Sequence, residues 1–78
     1  MDHRIAEAFG RVLREVREDA GLSQERLALD SGIDRTFVSM LERGVRQPSL
    51  TTVFQICGAL GVAPDDVVSR TSQELAKS

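Results

Sequence analysis

Between residues 2 and 20 the apolar positions Ile5, Phe9, Val12, Leu13 and Val16 recur at steps of three and four, with one adjacent pair. That spacing predicts a helix over 2–20 with a single inward face, closed by Gly21 as a C-terminal cap. Ser23 is a good N-cap for a second, short helix whose inward residues are Leu27 and Ala28 and which ends near Asp30. Ser31-Gly32 breaks it, Asp34 caps a third helix over 35–43, and Gly44 stops that one. Residues 45–48 form a loop, because Pro48 bars continuation, and Ser49 caps a fourth helix over 49–61 with a stripe of Leu50, Val53, Ile56, Cys57 and Leu60. After Val62, the run Ala63-Pro64-Asp65-Asp66 supplies a first turn with Pro near its start and acids at the positive end of the helix dipole. This fifth helix, over 64–76, carries the apolar residues Val67, Val68 and Leu75 and frays towards Lys77 and Ser78. No stretch alternates as a strand would, and no repeat or linker interrupts the chain. The pattern predicts an all-α, compact five-helix fold.

Composition bounds this picture. Seventy-eight residues make one domain, 1–78, with barely enough interior for a single core. With 41% apolar residues, three Phe and neither Trp nor Tyr, that core is mainly aliphatic. A single Cys excludes an internal disulfide, and one Cys with one His does not make a structural zinc site, so self-association is the expected supplement to a thin core. No stretch approaches the roughly 20 apolar residues that span a bilayer, and MDHRIAEAFGRV, with acids among its bases, is no secretory signal. The expectation is a cytoplasmic protein with no membrane partner. Nor is catalysis indicated. There is no Gly-rich phosphate loop, Cys57 lies on a core stripe as a buried inert thiol, His3 is terminal and without a role, and the acids are scattered. No cofactor, metal or small-molecule ligand is called for.

One stretch carries more information. In SQERLALDSGIDRTFVSMLERG, residues 23–44, Ala28 provides the small side chain that a tight corner between two helices needs, and Gly32 follows four residues later in the turn. Leu27, Ile33, Val38 and Leu41 occupy the positions that lock the two helices together. At about 100° per residue, Arg35, Thr36, Ser39, Met40 and Arg43 fall on one arc of the third helix, opposite Phe37, Val38 and Leu41. Arg can bond a guanine edge bidentately, Thr and Ser reach base edges or phosphates, and Met or a Thr methyl can touch a thymine methyl. Met40 suits core filling equally well, and Phe37, at the edge of the buried arc, suits packing or contact with a nucleic-acid backbone. The net charge of −2 argues weakly against a polyanionic partner, but the distribution reverses it. Residues 1–34 hold eight acids and five bases, residues 47–61 hold neither, and residues 62–78 hold three acids and two bases, whereas 35–46 set Arg35, Arg43 and Arg46 against Glu42 alone.

The run GLSQERLALDSGIDRTFVSMLERGVRQPSL, followed by ICGALGV, resembles the phage-repressor type of helix-turn-helix domain, the lambda-repressor-like or xenobiotic-response-element family, over most of the chain. The resemblance implies a five-helix domain that binds double-stranded operator DNA as a homodimer, with the third helix in the major groove. With the outward arc of that helix this gives base contacts from Arg35, Thr36, Ser39 and Met40 and phosphate contacts from Arg43 and Arg46 beyond its exposed face, while the resemblance itself implies a DNA-backbone contact from Gln24. The acid of the ERG motif pairs in that family with an arginine of the first helix, which here predicts an Arg17–Glu42 ion pair. Among the short chains of the family, phage repressors, antitoxin-type repressors and restriction-modification controller proteins, DRTFVSMLERG looks most like the last. Phe54, Val62, Val67 and Val68 are expected at the dimer face, since helices 4 and 5 carry more apolar surface than one small interior takes up; the alternative places them in the core. The competing functional class is a protein-interaction module of the same fold that does not bind DNA, slightly favoured by the acidic first helix and opposed by the basic arc of the third.

Overall fold

A computed structural model describes residues 3–77. It contains five helices in the order α1 (His3–Asp19), α2 (Gln24–Ser31), α3 (Arg35–Glu42), α4 (Leu50–Leu60) and α5 (Pro64–Lys77), and no strand among the described residues. The fold is all-α, as the periodicity predicts. The boundaries differ at the ends. α1 stops at Asp19 and not at Ala20, α3 stops at Glu42 with Arg43 as its cap, and α5 runs on through Lys77. The start expected at Asp2 and the fraying expected at Ser78 lie outside the described residues.

The caps show which side chains set these limits. Ser23 and Ser49 are extended, and each hydroxyl accepts a hydrogen bond from a backbone N–H of the first turn, Arg26 and Thr52 respectively. Asp34 stands at the cap position of α3 but its carboxylate makes no such bond, a correction to its expected role. Gly32 closes α2 with φ of +72°, a backbone conformation that favours glycine.

One core joins all five helices. Phe9, Val12, Leu13 and Val16 of α1 meet Leu27 and Ala28 of α2, Val38 and Leu41 of α3, Val53, Ile56 and Cys57 of α4, and Val67 of α5. Burial pushes the Cys57 thiol up from its usual range, which keeps it protonated. Val67, only 3% exposed, therefore belongs to the interior and not to a dimer face, while its neighbour Val68 is open. Two stripe residues are also corrected: Ile5 and Leu50 were expected inward, yet both are exposed, because each lies at the outer end of its helix. α1 and α5 run antiparallel, Arg11 donating to Glu74 at 2.9 Å and Arg70 lying 3.9 Å from Glu15.

Candidate nucleic-acid interface

Two short helices, eight residues each, make the corner. Leu27, Val38 and Leu41 are fully buried, and Ile33 packs partly against them. The Ile33 N–H donates to the Ala28 carbonyl at 3.1 Å, and the Ser31 hydroxyl donates to the Leu27 carbonyl at 2.6 Å, so backbone and side chain both fix the turn. Since the inward side of α3 is fully engaged, its opposite side must face solvent.

On that side Arg35 and Thr36 are exposed at the helix start, and Arg43 and Arg46 are exposed beyond its end. Ser39 and Met40 are half-buried, which leaves them less reach than the helical wheel alone indicates. Phe37 is half-buried and rests against the core. The ion pairing separates these arginines from most others. Arg11, Arg14, Arg17, Arg26 and Arg70 each have a carboxylate within 4 Å, whereas Arg35, Arg43 and Arg46 have none among the described residues. Three unneutralised guanidinium groups thus cluster in twelve residues around α3.

Glu42 is the one acid in this region, and its charge is internally matched. The Arg17 Nε donates to Glu42 Oε2, and Arg17 Nη2 donates to Glu42 Oε1 at 2.9 Å, a two-point guanidinium–carboxylate pair between α1 and α3. The two side chains are only 11% and 4% exposed. The hydrogen bond to Glu42 raises the Arg17 pKa above its already high value, partly opposed by desolvation, so the charge on Arg17 is fixed. Its remaining nitrogen, Nη1, donates to the Leu22 carbonyl at 2.8 Å and ties down the α1–α2 connection.

Two features were missed in the sequence. Gln24 is half-buried and its Nε2 donates to Glu42 Oε1 at 3.0 Å, so it is not an open side chain. No periodic signal links positions 18 residues apart. Gly10, inside α1, is buried against the end of α3, where an added Cβ would lie 2.5 Å from the Leu41 carbonyl oxygen. A glycine in a helix reads, on sequence alone, only as a weak helix former.

A family model described as helix-turn-helix matches residues 13–67. The chain belongs to the helix-turn-helix family. Control protein C.BamHI of Bacillus amyloliquefaciens is 38% identical over 73 residues, covering 92% of this chain and 90% of its own. The restriction-modification controller protein C.AhdI from Aeromonas hydrophila superimposes with a TM-score of 0.78 at 44% identity, over 80% of this chain and 94% of that one. The controller protein C.Esp1396I, solved as a tetramer in complex with its natural 35 base-pair operator, gives a TM-score of 0.83 at 26% identity over 92% of this chain and 95% of its own. These helix-turn-helix relatives are control proteins, not enzymes. No helix among the described residues is long and apolar enough to cross a membrane.

Proposed function

We propose that this chain is a sequence-specific DNA-binding transcriptional regulator that sits as a homodimer on a palindromic operator, with α3 in the major groove. The observation that carries the reading is the set of arginines around α3 without a carboxylate partner, in a chain whose net charge is negative. Arg35 and Thr36, at the start of α3, are placed to read base edges, with Ser39 and Met40 closer to the protein surface behind them. Arg43, Arg46 and Gln24 take the phosphates on either side. Phe54 and Val68, both more than half exposed, supply the apolar dimer surface, with Val62 partly packed beneath. Twofold symmetry then sets two α3 helices about 34 Å apart, one turn of the duplex. The likeness to control proteins supports a regulator in the cytoplasm of a restriction-modification system, acting through its own concentration and governing its own level.

Selection of sites from random duplex DNA, followed by titration at several salt concentrations, tests the reading. An enriched palindrome is expected, with affinity falling as salt rises because neutralised phosphates release counterions. Absence of a palindrome, or affinity indifferent to salt, points to the protein-interaction module. Within the site, Arg35→Ala is expected to cost about 1–3 kcal/mol and relax preference at one base pair, whereas Arg46→Ala weakens all sequences alike and lowers the salt slope by about 1. Identical behaviour of the two variants overturns the division into base and phosphate contacts.

A further inference from the structure

We infer that Glu42 is a positioning residue for DNA binding: its carboxylate fixes the side-chain amide of Gln24 in the one orientation that presents an N–H, and not a carbonyl oxygen, to a phosphate. The inference rests on the proposed reading of Gln24 as a backbone contact. An ionised carboxylate only accepts hydrogen bonds, while an amide end group carries a donor side and an acceptor side of nearly equal shape. Because Gln24 approaches Glu42 Oε1 at 3.0 Å, its NH2 must face that oxygen. The second proton of the same NH2 stays available, and flipping the group would set oxygen against oxygen.

Glu42 can do this without repelling a polyanion. Both its oxygens already accept from Arg17, and its side chain is 4% exposed, so it offers the DNA side almost no charge of its own. The same carboxylate therefore links three places: α1 through Arg17, the end of α3 through its own backbone, and the first residue of α2 through Gln24. Gln24 is held relative to Arg43, which directly follows Glu42 and is the nearest phosphate-seeking arginine in the chain. Unheld, the amide would rotate freely and lose side-chain entropy on each binding event.

The test is a mutant cycle on operator affinity with the whole chain. Removing Glu42 alone leaves Arg17 buried without its partner, so the main variant is the paired replacement Arg17→Met with Glu42→Met, which removes both charges together and is tolerated far better than a half-pair. Glu42→Gln is the second variant, assayed at a temperature where circular dichroism shows it folded; its carbonyl oxygen can still accept from Gln24, so it is expected to bind closer to the wild type than the paired replacement does. Gln24→Ala and the paired replacement are each expected to weaken binding by roughly two- to ten-fold per half-site, the worth of one hydrogen bond. Adding Gln24→Ala to the paired replacement should then weaken binding by clearly less than the same change weakens the wild type. Losses that simply add, or a Gln24→Ala variant that binds as well as the wild type, overturn the inference. A wild-type chain that binds no duplex brings down the parent reading as well, which separates the two failures. A second measurement needs no DNA. NMR relaxation of the Gln24 side-chain amide should show it ordered in the wild type and mobile in the paired replacement, which leaves no acceptor at position 42, and a mobile amide in the wild type overturns the inference.

Discussion

Arg17→Met is expected to lower the stability of the folded chain by about 3–5 kcal/mol, the cost of breaking a buried ion pair from one side. Methionine fills much of the volume of the arginine stem, so packing changes little. What is lost is the counter-charge of a carboxylate that is 4% exposed, together with the bond to the Leu22 carbonyl. Small domains hold only about 5–15 kcal/mol in total, so this single change brings the chain near unfolding. Urea unfolding at low temperature measures it, with Arg14→Met as the control. Arg14 and Glu18 form a pair at 3.4 Å on the surface, with side chains 66% and 55% exposed, and such pairs contribute between nothing and about 1 kcal/mol. If Arg17→Met costs no more than Arg14→Met, the Arg17–Glu42 pair is no clamp.

Gly10→Ala is expected to destabilise by about 1–3 kcal/mol or more, against the intrinsic preference of helices. In an exposed helix interior, alanine is better than glycine by about 1 kcal/mol. At Gly10 the new Cβ would stand 2.5 Å from the Leu41 carbonyl oxygen and 2.7 Å from that of Glu42, and both are backbone atoms that cannot swing aside. α1 and the end of α3 must separate, which also stretches the Arg17–Glu42 pair that bridges them. Gly58, in α4, is the internal comparison: an added Cβ there meets nothing within 4 Å, so Gly58→Ala should stabilise. Opposite signs for the two substitutions in thermal unfolding are the expected result. Equal signs would mean that the α1–α3 contact yields easily.

These two sites also mark where the sequence stops being informative. The helices were legible because apolar residues at steps of three and four and small polar caps act within a few residues of one another. The corner at 23–44 was legible for the same reason, its small residue, its turn glycine and its locking residues all falling in one short window. The Arg17–Glu42 pair came from the family likeness and not from the residues themselves. Nothing local connects Gln24 to Glu42 or Gly10 to Leu41, since both contacts arise only when separate helices pack. Val67 and Val68 show the limit of pattern at close range. They are the same residue type one position apart, and only the angle at which α5 meets the core decides that the first is buried and the second exposed. Leu50 and Ile5 continue their stripes in sequence, but both stand in the first turn of their helices and line an open groove with Phe9, Val53 and Val68.

The antiparallel seating of α1 on α5 has a consequence for the order in which the chain folds. Arg11 and Glu74, which touch, are 63 positions apart in the chain. Helices of eight residues do not persist alone in water, so α2 and α3 hold their angle only once α1 packs on α3 and α4 packs on α2. Contacts between such distant positions are slow to form, because a long loop must be closed before anything is gained from closing it. During synthesis, therefore, the corner formed by α2 and α3 meets its flanking helices α1 and α4 before the contact between α1 and α5 can close. The seating of α5 on α1 is thus the last part of the fold to form, after the corner already has its neighbours.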